Sequence, residues 1–237
     1  EYDDVSLEFN NPSNIQRDFE TRNGPDNTVI RTNLSWTRDT RNTAIFPTAG
    51  ARQQTRLEVA LPGVSDLEYY RLSYEQSRYV ALSERFTLVL DGTLSYGDAY
   101  GEGETLPFYE NFYAGGITTV RGYESNSLGP RDDNDDPTGG NLRLLGRAEV
   151  RFPIAEDSDG NNLRVSTFVD AGQVWDRDRE AAEGPGDVSL SDLRYAAGLG
   201  LVYYSPIGPL TMSVARPLND EQGDETQFFQ FTIGAFF

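Results

Sequence analysis

The sequence predicts an all-β fold, an antiparallel transmembrane β-barrel. Two observations support this prediction: apolar and polar residues alternate one by one through ten segments, and the connections between those segments are short and long in turn. A strand that faces lipid on one side is apolar only at every second position, so its average hydropathy stays low. The mean hydropathy of −0.55 is therefore compatible with a membrane barrel, although no apolar run is long enough to indicate a transmembrane helix.

The ten segments alternate with a period of two residues, as β-strands do. In the last segment, Phe229, Phe231 and Ile233 share one face, whereas Gln230 and Thr232 share the other. An even number of strands fits a bacterial barrel made from one chain. The predicted strands span residues 3–10, 27–39, 50–61, 67–80, 85–97, 141–153, 162–176, 191–204, 209–217 and 226–237.

The two faces of these strands fit two architectures. One face is apolar, and the other mixes opposite charges with glycine and serine, as at Arg147, Glu149 and Asp170. In a soluble sandwich the apolar face would form the core, whereas in a membrane barrel it would meet lipid. Alternation alone leaves both architectures open. Aromatic residues near the predicted strand ends are typical of the girdles of a membrane barrel: Trp36, Tyr70, Tyr96, Trp175, Tyr203 and Phe237.

The lengths of the connections favour the barrel. Short turns at 81–84 and 205–208, and somewhat longer ones at 40–49 and 154–161, alternate with longer connections. The long connections include two acidic segments, 177–190 and 218–225, and one loop of more than forty residues, 98–140. Short turns on one side and long loops on the other are typical of outer-membrane barrels. The glycine and aromatic content of 107–130 predicts that this extracellular loop folds back onto the protein.

The composition excludes several classes of function. The 237 residues include no cysteine and no histidine, so disulfides, thiolate chemistry and a histidine general base are absent. The net charge of −18 disfavours nucleic acid as a partner. The acidic run from Arg131 to Asp136 lacks the spacing and closing glutamate of an EF-hand loop, and we interpret it as a solvated loop. We expect no enzymatic activity, no cofactor and no metal site.

The long loop contains a specific motif. The segment FYENFYAGGITTVRGY, followed by SNSLGP, resembles the sixth loop of the BamA family of outer-membrane assembly barrels. The segments FVDAGQVWD (168–176), YSPIGPL (204–210) and FQFTIGAFF (229–237) are similar to that family in the same order, as is FPTAG (46–50). VRGY alone would indicate only the wider superfamily, which includes two-partner secretion transporters and organelle import pores.

The resemblance implies which part of the family barrel this chain represents. The family barrel has sixteen strands preceded by POTRA domains, and residues 1–237 resemble its last ten strands. Ten strands that carry the curvature of a wider barrel cannot close well, because strand number and stagger together fix the diameter. We therefore expect that the first strand, Tyr2 to Asn10, is not bonded to the last, Thr226 to Phe237.

The resemblance also implies roles for particular residues. The motif Val120, Arg121, Gly122 and Tyr123 would enter the lumen, where the arginine would dock on Glu149 and Asp170. The alternation independently puts both carboxylates on the charged face of adjacent strands. The last strand would be the C-terminal β-signal and one edge of a seam that opens sideways, with these residues: Phe229, Phe231, Ile233, Gly234 and Phe237.

The family implies a function in the bacterial outer membrane, which is the folding and insertion of other β-barrel proteins. The implied partners are outer-membrane lipid, unfolded outer-membrane protein clients and accessory lipoproteins of the assembly machine. One alternative is a related two-partner secretion or translocation transporter of the same superfamily, and another is a passive porin. A porin needs a constriction and does not need a long loop with its own docking arginine.

Overall fold

The computed structural model describes residues 1–100, 105–154, 163–178, 188–205 and 208–234. In these residues ten antiparallel strands form one sheet in which every strand pairs with its neighbours in sequence. The strands are β1 (Tyr2–Ser6), β2 (Asp26–Asp39), β3 (Gly50–Ala60), β4 (Tyr69–Ala81), β5 (Thr87–Ala99), β6 (Leu142–Pro153), β7 (Leu163–Trp175), β8 (Arg194–Ser205), β9 (Gly208–Pro217) and β10 (Phe229–Ile233). The predicted all-β antiparallel fold is therefore confirmed.

The first predicted strand, residues 3–10, extends too far, and the helix that follows it was not predicted. β1 ends at Ser6 instead of residue 10, and a helix α1 follows at Asn14–Asn23. The backbone N–H of Ser13 donates to the side chain of Gln16 at 3.1 Å, which is half of a capping box. A Ser-x-x-Gln spacing after a proline is a helix-start signal that alternation counting does not detect. In the described part of the chain, no helix is both long and apolar enough to cross a membrane.

Two other strands begin three residues later than predicted. β8 begins at Arg194 rather than 191, because Leu190–Asp192 forms a 3-10 turn. β10 begins at Phe229 rather than 226, because Thr226 forms an isolated bridge with Tyr123 of the long loop. Trp175 is also not a girdle residue: it is 3% exposed, and its Nε1 donates to Asp192 at 3.2 Å.

The sheet has an apolar outer face and a charged inner face. Leu199, Phe231 and Ile233 are exposed on the outer face, and Leu142, Leu144, Val150 and Leu201 on the same face are partly exposed. The inner face is covered by residues 105–141 of the long connection between β5 and β6, which we call the inner loop. Arg143 and Arg147 of β6 donate to its carbonyl groups at Tyr113 and Thr118. The charged face is therefore lined by protein, and the apolar face is left open.

The edges of the sheet are β1 and β10. Among the described residues no ladder joins these two strands, which agrees with the expectation that ten strands do not close by themselves. One buried cluster packs near the start of the inner loop, and a second packs around its middle. One consists of Val29, Ala60, Leu67, Tyr69 and Leu106, and the other of Ala114, Val120, Tyr123, Leu128, Val174 and Ala196.

Candidate functional site

The inner faces of β7, β8 and β9 form a shallow platform of small residues beneath the VRGY motif. The platform consists of Gly172, Ala196, Gly198, Gly200 and Ala215. A Cβ at Gly172 would lie 2.7 Å from Val120 Cγ2, and one at Gly198 would lie 2.1 Å from the carbonyl oxygen of Val214. A larger side chain at Gly172 would press on Val120 of the motif, whereas one at Gly198 would clash with the backbone of β9. Gly172 therefore sets how closely the inner loop approaches β7.

Gly122 fits this platform for two reasons. Its φ of +92° is in the region that favours glycine. A Cβ on Gly122 would also lie 3.2 Å from the Cβ of Ala215 and 3.3 Å from that of Ala196. The motif therefore approaches β8 and β9 closely, and the preceding residue, Arg121, is directed toward β6 and β7.

Arg121 is 1% exposed and is bound by two carboxylates that are equally buried. Its Nε and Nη2 donate to the two oxygens of Asp170 at 2.7 and 2.8 Å, and its backbone N–H donates to Asp170 at 3.1 Å. Its Nη1 donates to Glu149 at 2.9 Å. The guanidinium carbon lies 3.2 Å from the centre of the Phe168 ring, a cation–π contact. This bidentate geometry is specific to arginine.

Each of the two carboxylates also contacts a second arginine. Arg147 lies 3.3 Å from Asp170, and Arg151 lies 2.5 Å from Glu149. Both arginines belong to β6, and Arg147 also donates to the carbonyl groups of Thr118 and Thr119 of the inner loop at 3.2 and 3.3 Å. The site is therefore a network in which the loop contributes one charged side chain, Arg121, and the strands contribute the other four.

The motif is also bonded to the last strand. Gln230 of β10 donates from its Nε2 to the carbonyl of Tyr123 at 2.7 Å and accepts from the N–H of Gly122 at 3.3 Å. Main-chain bonds extend this contact, since Glu124 N–H donates to Glu225 O and Gln227 N–H donates to Gly122 O, both at 2.9 Å. The VRGY segment therefore pairs with the residues that lead into β10.

At its other end the inner loop is bonded to the N-terminal strands. Glu110 accepts from Arg31 of β2 at 2.9 Å, from Tyr69 of β4 at 3.1 Å and from Arg71 of β4 at 2.7 Å. Burial raises the pKa of the Glu110 carboxyl above its usual range, against the opposite effect of Arg71 and Arg31. Glu58 of β3 lies between the two arginines, 3.7 Å from Arg31 and 3.5 Å from Arg71.

The structure brings together all six residues of the expected docking site: Val120, Arg121, Gly122, Tyr123, Glu149 and Asp170. Of the expected β-signal, Phe229, Phe231 and Ile233 lie exposed on the outer face, and Gly234 has a φ of +85°. Phe237 lies outside the described residues. The functional roles of these residues stay predictions. In the described residues no group of three or more acidic side chains is arranged to hold a metal ion.

Sequence reasoning did not identify Glu110 and Gln230 as site residues. Gln230 had a detectable signal, because it is a polar residue on the inner face of an otherwise aromatic strand. Glu110 lies within the segment that carries the family resemblance, but no pattern in the sequence connects it with Arg31 and Arg71, which precede it by 79 and 39 residues.

A family model described as the Omp85 superfamily domain matches residues 1–237. The chain belongs to the Omp85 superfamily. It is 37% identical over 225 residues to the outer membrane protein assembly factor BamA of Neisseria meningitidis, covering 86% of the chain and 28% of that protein. BamA of Nitratidesulfovibrio vulgaris is 29% identical over 86% of the chain and 25% of its own length. The resemblance to the BamA family is therefore confirmed.

Other Omp85 relatives extend the comparison. A SAM50-like protein of Schizosaccharomyces pombe is 26% identical over 80% of the chain and 40% of its own length. The crystal structure of BamA from Haemophilus ducreyi lacking POTRA domains 1-3 superposes with a TM-score of 0.79 at 31% identity, covering 87% of this chain and 42% of that one. The chain thus spans less than half the length of these relatives, and its similarity lies within the barrel fold.

Proposed function

We propose that this chain is part of a barrel that folds and inserts other β-barrel proteins into the bacterial outer membrane. The observation that supports this function most directly is the Arg121 network. A buried, bidentate arginine on an inward-folded loop occurs here in a chain that is 37% identical to a protein named as an outer membrane protein assembly factor. The proposed partners are unfolded outer-membrane protein clients, accessory lipoproteins and the lipid of the outer membrane.

The proposed mechanism uses the open edge of β10. The backbone groups of an edge strand that has no partner on one side can bond a strand of another chain. Within the hydrocarbon region, unbonded backbone groups cost several kcal/mol each, so an incoming client strand would be stabilised there. Phe229, Phe231 and Ile233 face outward on this strand and would keep the growing sheet in contact with lipid.

The barrel performs no bond chemistry in this proposal. The sequence contains no histidine or cysteine, and the two most buried inner carboxylates, Glu149 and Asp170, are both bound by arginines. Each of these carboxylates contacts two arginines, so we interpret them as members of an ion-pair network rather than as an acid–base pair. Client insertion would require neither a nucleotide nor a metal ion.

A reconstituted system tests the proposal against its alternatives. The complete protein is placed in lipid vesicles, a urea-unfolded barrel client is diluted into them, and client folding is followed by protease protection. We expect the client to fold faster than in empty vesicles, and an Arg121→Glu variant to lose most of this acceleration. Arg56→Gln is the matched control, because this inner-face arginine is more than half exposed and pairs with Glu75 of the sheet.

Two results would contradict the proposal. Wild-type vesicles that do not accelerate client folding, but show large and steady ion conductance, would indicate a passive porin. Vesicles that transport a soluble passenger protein without inserting a barrel would indicate a two-partner secretion transporter. The packing of the inner loop across the inner face disfavours the porin, because the loop occupies the space that solute would cross.

A further inference from the structure

The inner loop is attached to the sheet at two points whose charges are reversed. At Arg121 the loop contributes the cation and the strands contribute the carboxylates. At Glu110 the loop contributes the carboxylate, and the strands contribute the cations, Arg31 and Arg71. The first attachment is to β6 and β7, and the second is to β2 and β4, so the two points lie on different parts of the sheet.

The contacts of Glu110 are unlike those of an exposed ion pair. Its side chain is 11% exposed, and those of Arg31 and Arg71 are 16% and 26% exposed. Exposed pairs contribute little because water and salt screen them, whereas hydrogen bonds between buried charged groups are worth more. Both carboxylate oxygens of Glu110 accept from an arginine, and the hydroxyl of Tyr69 adds a third bond.

The surroundings of Glu110 fix its direction. On one side, Phe108 and Tyr109 pack their rings against Phe19 of α1 at 5.5 and 5.8 Å. On the other side, the ring of Phe112 lies 4.9 Å from the guanidinium carbon of Arg71 and 5.3 Å from that of Arg143. The neighbours of Glu110 in the chain are thus held, and the carboxylate is presented to the arginines in one orientation.

Reversed charges give the loop a unique register on the sheet. A loop that slid along the inner face would bring Glu110 toward Glu149 and Asp170, or Arg121 toward Arg31 and Arg71. Both exchanges place like charges together in a buried site, which is an effective way to exclude wrong arrangements. The correct register is the one that satisfies both points together.

We propose that Glu110 is a positioning residue for the docking of Arg121. By fixing one end of the twelve-residue segment 110–121, it restricts the space that Arg121 explores and raises its effective concentration near Glu149 and Asp170. Loss of the Glu110 contacts would therefore increase undocking of the VRGY motif on the other side of the sheet. The importance of this docking for client insertion rests on the proposed function, whereas the positioning itself does not.

A buried thiol measures the undocking directly. Ser127 follows the motif, is 3% exposed, and donates to the carbonyl of Glu124 at 2.9 Å. Ser127→Cys replaces oxygen with sulfur in a chain that has no other cysteine, so labelling by a water-soluble maleimide requires the loop to open. When closing is faster than labelling, the labelling rate is proportional to the equilibrium constant for opening.

In the complete protein in lipid vesicles, we expect Glu110→Gln to raise this labelling rate by about tenfold, the factor for one lost charge-assisted hydrogen bond. Arg71→Gln removes one of the two arginine partners of Glu110 and should act in the same direction, which keeps the test decisive if Glu110→Gln does not fold. Glu75→Gln is the matched control, since Glu75 is an inner-face acid of β4 that pairs with Arg56 of β3. It should leave the rate unchanged.

A comparison in a second background separates positioning from a general loss of stability. In an Arg121→Met background the motif has lost its charged anchor, so Glu110→Gln should raise labelling at Ser127→Cys much less than it does when Arg121 is present. An unchanged rate at Ser127→Cys when Arg121 is present, or the same fold increase in both backgrounds, would overturn the proposal. Faster loop labelling with normal client insertion would leave the positioning intact and contradict its link to the proposed function.

Discussion

The buried network around Arg121 predicts unequal effects for its two sides. Removing one member of an isolated buried ion pair costs about 3–5 kcal/mol, because the other charge is left without a partner. In this network, Arg121→Met leaves no carboxylate without a contacting arginine, since Asp170 keeps Arg147 at 3.3 Å and Glu149 keeps Arg151 at 2.5 Å. Its cost should be close to that of the lost charged hydrogen bonds, about 2 kcal/mol.

Asp170→Asn should cost more. This change removes the carboxylate that contacts both Arg121 and Arg147, so two buried arginines lose a direct partner at once. Asp91 is opposite Arg147 in the β5–β6 ladder and reduces the penalty without replacing the bidentate bonds to Arg121. We therefore expect a loss of about 3–5 kcal/mol, which exceeds that of Arg121→Met.

Guanidinium titration of the protein in lipid vesicles, followed by tryptophan fluorescence, would measure both losses as changes in the unfolding midpoint at constant slope. Arg56→Met is the control, because this arginine is 56% exposed in its pair with Glu75 and should contribute less than about 1 kcal/mol. An Arg121→Met variant at least as unstable as Asp170→Asn would refute the idea that Arg147 and Arg151 shield the two carboxylates.

Three further predictions concern other parts of the molecule. Gly122→Ala should undock the inner loop and accelerate proteolysis within it, because the added Cβ would press on β8 and β9. Gly223→Ala is the control, since Gly223 has a similar positive φ and no neighbour within 4 Å, and it should leave proteolysis unchanged. Equal effects of the two changes would mean that backbone strain alone is responsible. Leu199→Arg should lower the unfolding free energy in lipid by about 2–4 kcal/mol, as a charge on the lipid face does. Leu190→Arg, in the connection between β7 and β8, should change this free energy little, because Leu190 is exposed outside the strands. A Leu199→Arg variant with an unchanged unfolding free energy would argue against lipid contact. Burial, with Asp98 and Asp176 nearby, raises the pKa of Asp178 to about 6. The folded state thus binds this proton more tightly than the unfolded state, so its contribution favours folding at acidic pH and is lost as pH rises toward 6. Asp178→Asn should therefore stabilise the protein at pH 7 relative to wild type and have little effect at pH 4, and thermal unfolding at the two pH values measures this. The opposite pH dependence would contradict the raised pKa of Asp178.

The strands could be predicted from the sequence because their signal is local. Alternation in segments such as 142–153 identifies both the strand and the residues on each face, and pairing with the next segment follows from short turns. The helix α1 could not be found this way, because its ten residues form one short amphipathic stretch whose start signal, Ser13 with Gln16, lies between two predicted strands. Its position depends on packing against the inner loop at Phe108 and Tyr109.

The docking site was predictable in part for a different reason. Alternation put Glu149 and Asp170 on the charged face, and the family resemblance supplied the arginine that meets them. The contacts of Glu110 and Gln230 depend on how the inner loop crosses the sheet, which no spacing in the sequence encodes. Long-range contacts between a loop and distant strands are set by the whole fold, so they become visible only with the structure.

The glycine and alanine residues beneath the motif have a consequence for motion. On its inner face, β8 presents Ala196, Gly198 and Gly200, which offer almost no packing of their own, so Phe168, Val120 and the backbone of the motif provide the contacts that other strands obtain from their own side chains. When the inner loop is lifted, β8 keeps Phe168 of β7 against Gly198 but loses Val120 and the backbone of the motif, two positions from the edge strand β10. The rigidity of the C-terminal strands then depends on the loop, whereas β2 to β4 keep the sheet members of the other cluster, Val29, Ala60 and Tyr69. Amide hydrogen exchange should thus be slow in β2 to β4 whether or not the motif is docked, whereas in β8 to β10 it should become faster when Arg121 undocks.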